Sequence, residues 1–187
     1  IHPRPDQRHI RYDDALALPS VLTTEFNIEG NPIPKFIDLV TQIKPDQVTL
    51  VPDAEDAITS NAGWDTIKHK DFLLEVISEF KSHGIRTSIF VDPVEKIVEG
   101  AKITGTDRIE LYTEAYAQNF KKNPKKAVAP YTEAAVLASN IGIGINAGHD
   151  LNLENTAFFA QNVPHLLEVS IGHALVSESL YLGFENV

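Results

Sequence analysis

Short β-branched segments alternate with amphipathic helical patterns along the chain, and this alternation predicts an α/β fold built from βαβ units. A doubly wound open sheet shares the alternation, but its Gly-x-Gly-x-x-Gly fingerprint is not found; Gly142-x-Gly144 lies inside a strand pattern without the third glycine. A barrel of eight units takes about 250 residues, and this chain has 187. The sequence therefore predicts a (β/α)8 TIM barrel lacking the first βα unit and most of strand 2.

The predicted elements cover residues 1–187 as one incomplete barrel domain. Ile1 is expected to be the last residue of an earlier strand. Six further strands are predicted over residues 21–28, 47–51, 86–92, 108–113, 141–146 and 167–171. Amphipathic helices are predicted over residues 34–43, 72–82, 94–103, 126–140, 155–162 and 175–184.

Composition excludes several classes of function. A net charge of -10 and a pI near 5.1 argue against nucleic acid or an anionic membrane as a partner. No apolar run approaches the roughly 20 residues of a membrane span, so a cytoplasmic protein is expected. The absence of cysteine excludes disulfides, thiolate nucleophiles and Cys-based metal sites.

Several predicted strands carry polar residues at every second position, which places them on the face that lines the barrel lumen. Burying an unpaired charge is costly, so these carboxylates must find partners or bind something. For Glu25 and Glu168 a structural ion pair with a lumen cation such as Arg108 is left open, whereas function is favoured for Glu29 and Glu110. The inward polar residues are Glu25, Asn27, Glu29, Glu110, Asn146, Glu168 and Ser170.

Four of the seven histidines follow strands directly: His2, His9, His149 and His173. Barrel enzymes keep their sites at this face, and histidine titrates near neutrality, so histidines beside carboxylates suit a reaction with several proton transfers. The remaining three histidines are expected on helix or loop surfaces. Because the sequence has no His-x-His pair, His-Glu-x-x-His helix or aspartate-rich loop, no catalytic metal is expected.

Residues 170–174 contain a strand end, a glycine and a helix start, at the expected position of the last barrel loop. Backbone N–H groups there would face an anion, and barrels commonly hold phosphate at this place. Gly148-His149-Asp150 would supply the other side of that site. The planar guanidinium of Arg4 could bind a second phosphate through two hydrogen bonds. Thr59 could donate to the same phosphate from its hydroxyl and its N–H.

Six motifs carry a family resemblance: residues 2–11 (HPRPDQRHIR), 25–30 (EFNIEG), 50–53 (LVPD), 108–113 (RIELYT), 146–152 (NAGHDLN) and 171–174 (IGHA). In order and spacing they closely resemble the motifs of the pyridoxine 5′-phosphate synthase family. The resemblance implies a (β/α)8 barrel with extra helices, assembled as a homo-octamer (a tetramer of dimers). It implies condensation of 3-amino-2-oxopropyl phosphate with 1-deoxy-D-xylulose 5-phosphate to pyridoxine 5′-phosphate, inorganic phosphate and water, without metal or organic cofactor.

The resemblance also implies a role for each matching residue. His2 and Glu29 would accept protons, His149 would donate one, and Glu110 would stabilise charge in a transition state. The residues implied to hold the deoxyxylulose phosphate are Arg4, His9 and Thr59. Those implied to hold the aminooxopropyl phosphate are Gly172, His173 and the backbone N–H of Asp150.

Two departures from the family pattern matter. The family's first strand and its loop, which bring an asparagine, an Asp-His pair and an arginine to the substrates, are absent, so the chain as written is expected to be inactive. Asp150 stands where some members have glycine. Its carboxylate would repel a phosphate, so we expect only its N–H to bind and its side chain to cap the following helix.

Two other functions stay open. A phosphate-binding barrel aldolase or epimerase would need a Schiff-base lysine or a metal-bound carboxylate pair at strand ends, and no lysine occupies a predicted inward position. A non-enzymatic subunit that retains phosphate affinity would not need so many strand-end histidines and inward glutamates. A separate hypothesis is that Glu168 tunes the proton affinity of Glu110 or His149.

Overall fold

The computed structural model describes residues 1–53 and 62–187 as a curled half-barrel of parallel strands with helices between them. The strands are β1 (Asn27–Gly30), β2 (Gln47–Leu50), β3 (Arg86–Val91), β4 (Arg108–Tyr112), β5 (Gly144–Gly148) and β6 (Leu166–Ser170). The helices are α1 (Tyr12–Ala17), α2 (Pro34–Ile43), α3 (Lys70–Ser82), α4 (Glu95–Ile103), α5 (Glu114–Phe120), α6 (Pro124–Asn140), α7 (Thr156–Asn162) and α8 (His173–Leu182). One-turn 3₁₀ helices cover Leu18–Ser20 and Phe184–Asn186.

The strand order in the sheet is the order in the chain, β1 to β6, and every neighbouring pair is parallel. A doubly wound sheet reverses its strand order at a switch point, so that alternative does not apply. Ile1 extends the same pattern. Its amino group donates to the Asn27 carbonyl at 2.8 Å, and the Glu29 N–H donates to the Ile1 carbonyl at 2.8 Å, which are the two hydrogen bonds of a parallel bridge.

The hydrophobic core lies between the sheet and the helices. Ile28, Ile109 and Leu111 are fully buried on the helix-facing side of their strands, as the period-two pattern predicts, and Phe26 joins them. Burial of each such side chain contributes about 1.5–3 kcal/mol. Within the residues that the structure describes, no helix has the length and apolarity that crossing a bilayer requires.

Two predicted strand boundaries are wrong. The first strand begins at Asn27, because the chain leaves the turn at Leu18–Ser20 with Val21 71% exposed, and the Phe26 N–H donates to the Asp46 carboxylate at 2.7 Å. The fifth strand was expected from residue 141 but begins at Gly144. Gly142 has a φ of 72°, and the Ile143 N–H donates back to a carbonyl of α6, so this segment closes the helix.

Several helix boundaries also differ from the sequence prediction. Helices α1 and α5 were not predicted, since six and seven residues are too few to show a helical period. Helix α6 begins two residues early, because Pro124 suits the first helical position and the Asn123 side chain accepts the Lys126 N–H at 3.0 Å. Helix α8 begins at His173 rather than at residue 175.

Candidate active site

His2 lies between two carboxylates at the carboxyl ends of β1 and β2. Its Nδ1 is 3.9 Å from Glu29 Oε2, and its Nε2 is 3.7 Å from Asp53 Oδ2. Arg4 Nη2 is 3.4 Å from the same Asp53 oxygen. Burial lowers the pKa of His2, although Glu29 and Asp53 partly offset this effect. The neutral imidazole, which can accept a proton, is therefore favoured near neutral pH.

Glu110 projects from β4 into the lumen and is 1% exposed. Ser170 Oγ donates to its Oε2 at 3.3 Å, and its Oε1 has no hydrogen-bond partner among the described residues. Burial raises the pKa of Glu110 well above its usual range, and the negative charge of Glu29 adds to that rise. Burial therefore favours the neutral, protonated form of Glu110, which can donate a hydrogen bond.

Gly148 makes room for this carboxyl group. A Cβ atom at position 148 would lie 2.1 Å from Glu110 Oε1 and 3.0 Å from Ser170 Cβ. The Glu110 carboxyl group could avoid this contact only by leaving its buried position, and Ser170 Cβ is held close to the backbone of the neighbouring strand β6. The strand end therefore requires glycine at this position for a steric reason.

His149 follows β5 directly and adopts a left-handed backbone with a φ of 77°. Thr113 holds this turn: its N–H and hydroxyl donate to the Gly148 carbonyl at 3.0 and 2.7 Å, and the hydroxyl also contacts the His149 carbonyl. The imidazole packs edge-on against Phe90 at 4.8 Å and Tyr112 at 5.5 Å, measured between ring centroids. These contacts fix the ring at the rim of the lumen.

The four candidate catalytic residues share one electrostatic environment. Burial is the main cause of the lowered pKa of His2, and His149 acts in the same direction. Burial likewise dominates the raised pKa of Glu110, with Glu29 next in importance. The structure thus places His2, Glu29, Glu110 and His149 close enough for each to influence another across the lumen.

The candidate phosphate-binding residues surround this group at the exposed end of the barrel. Arg4 is 7% exposed, and the exposed residues are His9, Asp150, Gly172 and His173. Gly172 is the N-cap of α8 and His173 its first residue, as a helix-terminus anion site requires. Thr59 lies outside the described residues.

Asp150 does not cap the following helix, so that expectation is wrong. Helix α7 begins only at Thr156, and Asn155 occupies its N-cap position. The Asp150 carbonyl instead accepts Asn155 Nδ2 at 3.1 Å. Asp150 has a φ of 57°, so the turn that begins at His149 continues through it.

The other inward carboxylates pair with arginines that begin β3 and β4, toward the amino-terminal ends of the strands. Arg108 Nη1 lies 2.8 Å from Glu168 Oε2, which is the structural ion pair that the sequence left open. Glu25 precedes β1 and pairs with Arg86 at 2.5 Å rather than with Arg108. Among the described residues, no three histidine, aspartate or glutamate side chains converge as a metal site.

The surface histidines largely agree with expectation. His83 and His165 are exposed, whereas His69 is half-buried, with its ring 5.4 Å from that of Trp64. Sequence reasoning gave no individual role to Asp53, Thr113 or Gly148. Asp53 and Thr113 come shortly after strands, the same position that singled out the histidines, so the signal was present for them.

Solved structures identify the class of protein. The chain is similar to the tryptophan synthase A-subunit from Pyrococcus furiosus, with a TM-score of 0.59 and 14% identity, over 94% of this chain and 66% of that one. It is also similar to CutC from Streptococcus agalactiae, with a TM-score of 0.55 and 12% identity, over 86% of this chain and 80% of that one. At such identities the likeness shows the fold, an α/β TIM barrel that lacks some units.

Sequence relatives give the family. The family model described as Pyridoxal phosphate biosynthesis protein PdxJ matches residues 1–187. The pyridoxine 5′-phosphate synthase of Christiangramia forsetii is 67% identical over all of this chain and 78% of its own length. That of Flavobacterium johnsoniae is 67% identical, again over the whole chain, and over 79% of its own length. The chain belongs to the pyridoxine 5′-phosphate synthase family, whose members are enzymes of vitamin B6 biosynthesis, as its motifs predict.

Proposed function

We propose that this chain supplies the acid–base residues with which the full-length protein condenses 3-amino-2-oxopropyl phosphate and 1-deoxy-D-xylulose 5-phosphate to pyridoxine 5′-phosphate, phosphate and water. The observation that carries the proposal is the coupled group of His2, Glu29, Glu110 and His149 at the carboxyl ends of the strands. Addition of an amine to a ketone, loss of phosphate, ring closure and aromatisation all require repeated proton transfer. Two bases and two acids held together suit that sequence.

In this proposal His2 and Glu29 accept protons and His149 donates one. The lowered pKa of His2 supports its part, because a buried neutral imidazole is ready to take a proton at neutral pH. The distance of 3.9 Å between His2 Nδ1 and Glu29 Oε2 would let a proton pass between them with a small movement or through one water. The rings of Phe90 and Tyr112 pack against the His149 imidazole and keep it at the lumen rim.

Glu110 stabilises negative charge that develops in a transition state. Its raised pKa supports this role, because a neutral acid donates a hydrogen bond where a carboxylate would repel the charge. Ser170 engages one carboxyl oxygen, and the other is the Oε1 atom for which the described residues offer no partner. Because Oε1 is buried and has no partner among the described residues, it can form a hydrogen bond with a substrate.

The two substrate phosphates bind at separate places. Arg4 and His9, with Thr59, hold the deoxyxylulose phosphate. Gly172 and His173 hold the aminooxopropyl phosphate at the N-terminus of α8, together with the N–H of Asp150. The position of Gly172 as N-cap of a ten-residue helix supports the second site, since the first N–H groups of a helix point along its axis toward an anion.

The proposal includes no nicotinamide or flavin, because none of these steps transfers electrons, and no metal or other organic cofactor, as the family resemblance implies. It also includes the cytoplasm as the location and a homo-octamer, a tetramer of dimers, as the assembly. None of the six described strands contains a lysine, so they offer no Schiff-base residue for an aldolase.

The test is an assay of the full-length protein with both phosphorylated substrates, in the presence of a chelator. We expect equal amounts of pyridoxine 5′-phosphate and inorganic phosphate. His2→Gln and His149→Gln should each reduce kcat by about 100- to 10,000-fold. Turnover of a single sugar phosphate without its partner would support an aldolase or epimerase instead.

A further inference from the structure

Asp53 contacts two residues of the candidate site, although neither the motifs nor the proposed chemistry gave it a role. One of its oxygens, Oδ2, lies 3.7 Å from His2 Nε2 and 3.4 Å from Arg4 Nη2. These two residues have different proposed tasks, since His2 accepts a proton and Arg4 holds a substrate phosphate. Asp53 therefore contacts both a proposed proton acceptor and a proposed phosphate-binding residue.

The Asp53 carboxylate is well placed to act on both. Asp53 is 5% exposed and Arg4 7%, so their charges interact with less screening than a surface pair would. The Asp53 backbone is tied to the neighbouring strand end: its carbonyl accepts Asn31 Nδ2 at 2.5 Å, and the Val51 N–H donates to the Gly30 carbonyl at 3.0 Å. A carboxylate on such a fixed backbone can set the position of its partners.

We propose that Asp53 is a positioning residue, whose carboxylate orients the His2 imidazole and holds the Arg4 guanidinium beside it. This inference rests on the proposed function for the tasks of His2 and Arg4. Asp53 touches no reacting atom itself. It keeps Nε2 of the ring directed toward β2, so that Nδ1 faces Glu29 and the lumen.

The charge of Asp53 also affects proton binding by His2. Four groups face the imidazole: Glu29 from β1, Asp53 from beyond β2, Arg4 from its own segment and His149 from beyond β5. Burial lowers the pKa of His2 most strongly, and Glu29 and Asp53 raise it. Replacing Asp53 with asparagine removes one of the two raising charges, so the pKa of His2 should fall further.

The first experiment compares Asp53→Asn with the wild type in the full-length protein. We expect kcat/KM to fall about 10- to 100-fold, with KM for deoxyxylulose phosphate raised, and the limb of the pH–rate profile that reports His2 displaced to lower pH. Asp53→Glu should restore part of the loss. Glu79→Gln is the matched control, because it breaks an exposed His–carboxylate pair of 3.1 Å on α3 and should leave the kinetics unchanged.

The second experiment follows the His2 ring directly by NMR titration, assigned with His2→Gln, and needs no turnover. A lower pKa of His2 in Asp53→Asn supports the proposal, and an unchanged titration together with wild-type kinetics overturns it. Loss of activity with an unchanged pH profile, unchanged titration and reduced stability also overturns it, since that is a structural role. If the wild type makes no pyridoxine 5′-phosphate, the proposed function fails, but the titration still decides whether Asp53 acts on His2.

Discussion

The lumen of the half-barrel has two polar halves that differ in how their charges are satisfied. Toward the amino-terminal ends of the strands, Glu168 accepts from Arg108 at 2.8 Å and from Asn146 at 2.9 Å, and Glu25 pairs with Arg86 at 2.5 Å. Two carboxylates there meet two guanidinium groups. This half is a neutral, hydrogen-bonded network.

The half at the carboxyl ends of the strands holds three carboxylates, Glu29, Asp53 and Glu110, beside Arg4 and the histidines. His2 lies 3.9 Å from Glu29 and 3.7 Å from Asp53, and Arg4 lies 3.4 Å from Asp53, whereas the shortest pairs of the other half are 2.5 and 2.8 Å long. Glu110 is buried, with its pKa raised by burial. Burial of a carboxyl group such as that of Glu110 costs stability, and it leaves groups with altered proton affinity facing the place where substrates would bind.

The difference teaches that inward charge alone does not indicate a site. A period-two pattern predicted Glu25, Glu29, Glu110 and Glu168 with the same logic, and only the contacts separate them. We expect Glu25 and Glu168 to act mainly through their ion pairs with arginines, and Glu29 and Glu110 to take part in the proposed chemistry. Mutations that remove a carboxylate from one half of the lumen or from the other test whether the two halves differ in function.

The largest expected effect belongs to Glu110→Gln. The amide keeps the size of the side chain, but its N–H is a much weaker hydrogen-bond donor to developing negative charge than a carboxyl O–H, so kcat should fall about 100- to 1,000-fold. Steady-state kinetics with both substrates measure the loss, and circular dichroism should report an unchanged fold. Activity within a few-fold of the wild type would place Glu110 outside the chemistry.

Gly148→Ala should have the next largest effect, because the new Cβ would meet Glu110 Oε1 at 2.1 Å. We expect a loss of about 1–3 kcal/mol in the free energy of unfolding from overpacking, and a clear loss of kcat because the carboxyl group moves. Combining it with Glu110→Ala removes the clash. The two stability losses should therefore be less than additive, and strict additivity would contradict the steric explanation.

In the other half of the lumen, Glu168→Gln should act mainly on stability. It leaves Arg108 without its carboxylate in a half-buried place, at a cost of about 1–2 kcal/mol. Glu154→Gln, which breaks an exposed pair of 2.8 Å with Lys121, is the matched control and should cost under about 0.5 kcal/mol. Chemical denaturation of both variants measures the two losses in the free energy of unfolding.

The same variant tests the hypothesis that Glu168 tunes Glu110. Burial and Glu29 are the leading causes of the raised pKa of Glu110, and Glu168 adds a smaller contribution. Removing the Glu168 charge should lower the pKa of Glu110 slightly and displace the corresponding limb of the pH–rate profile to lower pH. An unchanged profile would leave Glu168 with a structural role only.

The last expected effect is the pH dependence of stability that Glu110 contributes. Its folded-state pKa is raised above the unfolded value, so its contribution is fully present below the unfolded pKa and is lost as pH rises toward the folded pKa. Glu110→Gln abolishes this dependence. The variant should gain stability relative to the wild type between about pH 4.3 and neutrality, as thermal unfolding across that range would measure.

Much of the fold and part of the site follow from the sequence. The alternation of patterns gave the parallel barrel, and the period of two placed Glu29 and Glu110 inward because both lie well within their strands. Glu25 was misplaced because the start of β1 depends on Asp46, a contact across 20 residues. Local patterns carry no information about such contacts.

The residues that sequence reasoning missed act through tertiary contacts. Gly148 matters because of the carboxyl group on the neighbouring strand, and Thr113 because the turn at His149 approaches it. Asp53 becomes informative only when two partners converge on one of its oxygens. Each is an ordinary residue type near a strand end, so its role appears only once the strands are assembled.

The most direct test measures kcat and the free energy of unfolding together for Glu110→Gln and Glu168→Gln in the full-length protein. We expect opposite results: Glu110→Gln should lose activity by at least about 100-fold while keeping or gaining stability at neutral pH. Glu168→Gln should lose stability while keeping kcat within a few-fold. If both variants lost activity and stability in the same proportion, the division of the lumen into a catalytic and a structural half would be contradicted.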